Sequence, residues 1–246
     1  MDYSLKQTLL KIEQVDLELL KYLDTDNFCL SNLLYKLSES RRSYLVLMRN
    51  ICYTDAVIVA GHILENCAIV SYLISEVSPR REKKYIASDA QKILCDWYDF
   101  IKDESNNDEL YDLETECINV LKEFGRCIAD TTAKNAALIE FLCDSTYTNK
   151  EKSRRIKDTY TQLTSVCDYL NMFIEQLDKK YKSIYPKMQL GVRLLYAAYC
   201  KIKHCGASMF VRNDDNIPSL QYKYISCEIV LMCLEFISEA IKLKSV

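Results

Sequence analysis

The sequence is poor in the residues that bend a chain. Four glycines and three prolines in 246 residues leave few places for tight turns and hairpins, which argues against sandwiches, barrels and glycine-rich phosphate loops. Histidine is scarcer still, with only His62 and His204. A zinc or di-iron centre needs several ligands at suitable spacing, and the chain has neither HExxH nor a Glu-x-x-His pair. Cys200, His204 and Cys205 are the nearest approach to a ligand set, and no metal or other cofactor is expected. GxxxxGK[ST], GxGxxG and GxSxG are all missing, which removes phosphate-loop and nucleophile-elbow chemistry.

Long apolar runs and a dominant charge are lacking too. The most apolar stretch, Ala56 to Ile74, is interrupted by His62, Glu65 and Asn66. It falls short of an unbroken membrane span and reads as a buried central helix. A net charge of -3 gives no global attraction to nucleic acid or anionic lipid, so such binding must be local, and no membrane partner is expected. Twelve cysteines are spread singly with no CxxC, mostly in apolar stretches where a thiol acts as a small core residue. The segment MDYSLKQTLLKIEQ has neither a basic nor an apolar leader region. Together these predict a reduced, cytoplasmic protein.

What is present is helical periodicity. Apolar residues make up 49% of the chain and charged ones 27%, and the apolar ones recur three and four apart almost throughout. The expected fold is all-α, a single multi-helix bundle of about seven to eight helices. Residues 1–246 are read as one helical domain, with 1–52 an N-terminal helical hairpin packed on the core. Expected helices run from Ser4 to Leu23, Leu30 to Cys52, Ala56 to Glu76 with Thr54 or Asp55 as cap, and Pro79 to Ile101. After a loop from Lys102 to Asp108, they continue from Glu109 to Cys143, Asn149 to Lys182, Pro186 to a Gly206 cap, and Tyr222 to Lys242.

Charge is unevenly spread along this order. Asp99 to Glu123 holds nine acids against two bases, and Lys150 to His204 holds twelve bases against five acids. Solvated helix faces account for both runs, and the second also offers a basic surface for an RNA backbone.

Two constellations could carry chemistry. His62 precedes Glu65 by three residues, which places imidazole and carboxylate on one helix face; a buried pair of this kind needs a partner from a neighbouring helix or a cavity. Lys201 and His204 likewise share a face at the end of a later helix, where the dipole favours an imidazolium. Arg193 lies near that face but two to three turns away. In the chemical reading His204 moves a proton near neutral pH while Lys201, Lys203 or Arg193 offsets phosphate charge.

The segments Gly61-His62-Ile63-Leu64-Glu65-Asn66-Cys67-Ala68-Ile69-Val70-Ser71-Tyr72-Leu73 and Lys201-Ile202-Lys203-His204-Cys205-Gly206-Ala207-Ser208 resemble a group of poorly characterised bacterial all-helical proteins related to HEPN domains. Those carry a glutamate followed by an aromatic on a core helix and a Lys-x-Lys-His-Gly-like or His-Gly-Ser-like segment at a later helix end. The best-known HEPN signature has an arginine a few residues before the histidine; here Ala197, Ala198 and Tyr199 stand before His204, and Asp55, Ala56 and Val57 before His62. The resemblance implies a helical bundle, homodimerisation and metal-independent RNA cleavage of the toxin or phage-defence kind. His204, Lys201 and Glu65 would then be catalytic, with Lys203, Arg193, Ser208 and His62 binding substrate. The other reading is a non-enzymatic sensor or scaffold that binds a protein partner, with Glu65 and His204 in a structural polar network.

Overall fold

The computed structural model describes residues 3–19, 21, 28–75, 79–100, 108–160, 165–203 and 218–243, and their side chains except at 3, 16, 17, 28, 108–111, 201, 202 and 218–223. Among the described residues there are ten α-helices and no strand, so the all-α expectation holds. The helices sort into two compact units, residues 1–75 with 166–246, and residues 76–165.

The first unit contains α1 (Tyr3–Leu19), α2 (Phe28–Arg49), α3 (Tyr53–Ile74), α8 (Val166–Tyr181), α9 (Met188–Lys203) and α10 (Pro218–Lys242). Its axis is α3, which packs against α2, α8, α9 and α10, while α1 packs on α10 and α2. The sequence of α3 explains this place. Ala56, Val57, Ala60, Ile63, Leu64, Cys67, Val70 and Leu73 are all buried, an apolar surface wide enough to need cover on several sides. Among the described residues α3 alone is long and apolar enough to cross a membrane, and 67% of that window is buried inside the protein. Each such Leu or Ile contributes about 1.5–3 kcal/mol on burial. The helix begins at Tyr53 after Cys52, so Thr54 and Asp55 lie in its first turn rather than capping it. Ahead of it, Ile51 takes a left-handed φ of 63°, which ends α2 at Arg49, earlier than the expected Cys52.

The second unit contains α4 (Arg80–Phe100), α5 (Asp108–Phe124), a one-turn 3-10 helix (Gly125–Cys127), α6 (Thr132–Cys143) and α7 (Asn149–Thr159). Its core joins Leu94 and Tyr98 of α4 to Leu121, Leu138 and Ile156.

Two expected long helices are each broken, which raises the count above seven to eight. The Glu109–Cys143 helix stops at Phe124 and restarts where the Thr131 hydroxyl accepts from the Lys134 amide at 3.1 Å. The cause is tertiary. A Cβ on Gly125 would lie 2.3 Å from Asn135 Oδ1 and 2.8 Å from Tyr160 Oη, so the chain bends at the one residue that admits them. The Asn149–Lys182 helix ends at Thr159 and resumes at Val166, and α7 opens on a capping box between Thr148 and Glu151. The Lys102–Asp108 loop, apart from Asp108 itself, and the Gly206 cap lie outside the described residues.

Candidate functional site

The packing of α3 on α9 brings the first constellation together. On α3, Gly61 is followed by His62 and, one turn on, by Glu65. On α9, Tyr196, Tyr199 and Lys203 fall at helical spacings of three and four and so share one face. Gly61 is what lets the helices close. A Cβ there would sit 2.1 Å from Tyr199 Cγ and 2.4 Å from its Cδ2, so only a glycine admits the ring against the α3 backbone. Tyr199 is thereby fully buried, and its hydroxyl becomes the hub of a polar cluster.

Three groups meet that hydroxyl: Glu65 Oε2 at 3.2 Å, Lys203 Nζ at 3.1 Å and His62 Nδ1 at 3.4 Å. A second phenol, Tyr196, donates to Glu65 Oε1 at 3.4 Å. The imidazole stands edge-on to the Tyr199 ring with centroids 5.2 Å apart, and the Lys203 ammonium lies 5.3 Å from the same centroid. A phenol has one proton, and a carboxylate is its best acceptor. With that proton given to Glu65, the Tyr199 oxygen accepts from Lys203 and from His62, which makes Nδ1 the protonated nitrogen. In the neutral ring Nε2 then carries the lone pair. The His62 side chain is 48% exposed while Glu65 is only 17% exposed, and their closest atoms are 3.6 Å apart. An accessible imidazole is thus backed by a largely shielded carboxylate.

The electrostatics follow from that geometry. Burial, opposed by the Lys203 hydrogen bond and aided by the Glu65 charge, raises the Tyr199 pKa above the usual phenol value. The hydrogen bond to Tyr199 raises that of Lys203, keeping it an ammonium. Burial and the nearby Glu65 charge also push Tyr196 upward. At neutral pH the cluster therefore holds two neutral phenols and a lysine cation beside Glu65.

Of the seven residues expected at a site, the structure brings together His62, Glu65 and Lys203. Arg193 lies on an exposed part of α9, where its Nη1 donates to Asn171 of α8 at 3.4 Å. Lys201 is on α9, but its side chain, His204 and Ser208 lie outside the described residues. Among the described residues no three His, Cys, Asp or Glu side chains converge as a metal set. Sequence reasoning missed Tyr196 and Tyr199, two of eighteen tyrosines. The available signal was local: Tyr199 and Lys203 lie one turn apart, and Gly61 directly precedes His62.

No protein-family model, curated protein or solved structure matches the chain.

Proposed function

We propose that the chain is a HEPN-like helical protein that cleaves RNA without a metal ion, as a homodimeric toxin or phage-defence nuclease of the cytoplasm. The observation behind this reading is the single phenol, Tyr199, that gathers an accessible imidazole, a shielded carboxylate and an ammonium. In that reaction a histidine takes the proton from the ribose 2'-hydroxyl, whose oxygen attacks the adjacent phosphorus, and an acid returns a proton to the departing 5'-oxygen. His62 Nε2 and His204 are the two imidazoles for these roles. Lys203 and Lys201 offset the charge that builds on the phosphate, and Arg193 and Ser208 extend the contact along the backbone.

The test is cleavage of labelled total RNA and tRNA in EDTA by wild type, His204→Ala and His62→Ala, purified identically. Cleavage by wild type that falls by about 10²-fold or more in either variant is the expected result. Equal activity, or equal inactivity, in all three proteins defeats the reading.

The second reading is a non-enzymatic sensor or scaffold in which the cluster sets the register of α3 against α9. The closure of every Tyr199 hydroxyl bond within the protein favours it. Under this reading Tyr199→Phe lowers stability, and no preparation cuts RNA.

A further inference from the structure

We propose that the first unit carries a binding pocket for a long-chain carboxylate, a free fatty acid, at the start of α9. This pocket shares no lining residue with the α3–α9 cluster. A cavity of about 520 Å³ opens between the connection preceding α9, the first half of α9 and α10, within the size range of small-molecule pockets, roughly 300–1,000 Å³. Its walls are Ile184, Leu190, Leu194, Ile225, Ile229 and Met232. Ile184, Leu190 and Leu194 are 66%, 55% and 46% exposed, a large apolar surface to leave to water in so small an area.

Gly191 is the second observation. Gly191 lies in the first turn of α9, where a glycine still costs up to about 1 kcal/mol relative to alanine, and the glycines at 61 and 125 are required because a Cβ at either would collide with a neighbouring side chain. Gly191 has no such reason. Its φ is not left-handed, and an added Cβ would meet only Ile229 Cδ1, at 3.5 Å. The missing side chain instead leaves room in the cavity wall that Gly191 lines.

Charge on the connection before α9 selects the head group. The chain from Lys179 to Lys187 contains four lysines and no acid. Lys180 is paired with Glu239, whereas Lys187, which lines the cavity and is exposed, makes no ion pair among the described residues. The one acid in the lining, Glu228, belongs to α10, on the other wall. An apolar channel with an ammonium on the connection side suits an acyl chain whose carboxylate sits on Lys187, the chain lying along Leu190, Leu194 and Ile229.

Isothermal titration calorimetry with dodecanoate, dodecanol and dodecylammonium, each below its self-association concentration, tests this on the full chain. The expected result is one dodecanoate per chain, bound more tightly than dodecylammonium. Lys187→Gln should weaken dodecanoate by about fivefold, as an exposed ion pair allows, and leave dodecanol unchanged. Gly191→Leu fills the cavity and should weaken both by about tenfold or more, the equivalent of two lost methylene burials. Gly191→Ala, which has clearance, should fold at least as stably as wild type and weaken binding by a smaller factor. Absence of dodecanoate binding, preference for dodecylammonium, or indifference to Gly191→Leu overturns the proposal. So does a dimer in sedimentation that Leu194→Glu dissociates and dodecanoate leaves intact, because a second copy then covers the groove.

Discussion

The α3–α9 junction of the first unit and the Gly125 bend of the second are built on the same device and differ in one respect. In each, a glycine admits a tyrosine against the backbone, Tyr199 at Gly61 and Tyr160 at Gly125, and each phenol is buried. At Gly125 the Tyr160 hydroxyl donates to Asn135 Oδ1, and the Asn135 amide donates to the Leu121 carbonyl at 3.1 Å. All these partners are neutral and enclosed. At Gly61 the phenol instead meets an imidazole, a carboxylate and an ammonium, two of which reach solvent. The same steric solution thus gives a closed joint in one unit and an ionisable cluster with an open edge in the other. Placing charged groups around a buried hydroxyl is costly unless they are paired, so the first arrangement needs more residues to remain satisfied than the second.

The largest expected effect tests the shared device. Gly61→Ala should lower stability by about 1–3 kcal/mol through overpacking, although alanine in an open helix position would add about 1 kcal/mol. Gly125→Ala should cost less, because its clash is with the ends of side chains rather than a ring face. Urea unfolding measures both, and a Gly61→Ala protein more stable than wild type would show that Tyr199 is not seated as described.

The hydroxyl substitutions sharpen the difference. Tyr160→Phe strands the buried Asn135 and should cost about 1–3 kcal/mol. Tyr199→Phe should cost about 1 kcal/mol or less, since Lys203 and His62 can turn to water. A reversed order in thermal or urea melts would mean that the α3–α9 cluster is the more tightly sealed of the two.

Proton linkage separates the regions next. Tyr160 and Tyr199 are both raised above the free phenol value by burial, and Lys203 is raised by its bond to Tyr199. For each group the stabilisation is complete below the unfolded-state pKa, about 10 to 10.4. It is lost as pH climbs through the higher folded-state value. Melting temperature should therefore fall steeply above about pH 10. Tyr160→Phe should flatten that fall the most, because burial shifts Tyr160 furthest, and Tyr199→Phe should flatten it less although it also releases Lys203. An unchanged slope in Tyr199→Phe would remove both Tyr199 and Lys203 from the linkage.

The smallest effect belongs outside both regions. Arg193→Ala should change stability by no more than about 0.5 kcal/mol, as for other exposed positions without buried partners. A larger change in the urea midpoint would require contacts beyond Asn171.

How much of this was legible in the sequence differs by level. The three- and four-residue periodicity located α1 to α4 and α9 to within a few residues, and the pairing of His62 with Glu65 on one face followed from spacing alone. The breaks at Gly125 and Tyr160 did not, since apolar periodicity carries on across both. What bends the chain at Gly125 is Tyr160 and Asn135 meeting there, residues ten to thirty-five apart in sequence. Tyr199 was hidden for the same reason. Its role depends on a glycine more than a hundred residues earlier, and the one-turn spacing of Tyr199 and Lys203 does not by itself point to that glycine.

The sequence alone determined that the chain is helical and that α3 is central, because turn formers are nearly absent and α3 is apolar around most of its circumference. Those are properties of composition and period, which act over a few residues. Only the tertiary structure decided which glycine receives which ring, which cation joins Glu65, and that a third glycine faces a cavity. Each of these depends on the close approach of segments distant in the chain, and steric fit at that range leaves no periodic trace.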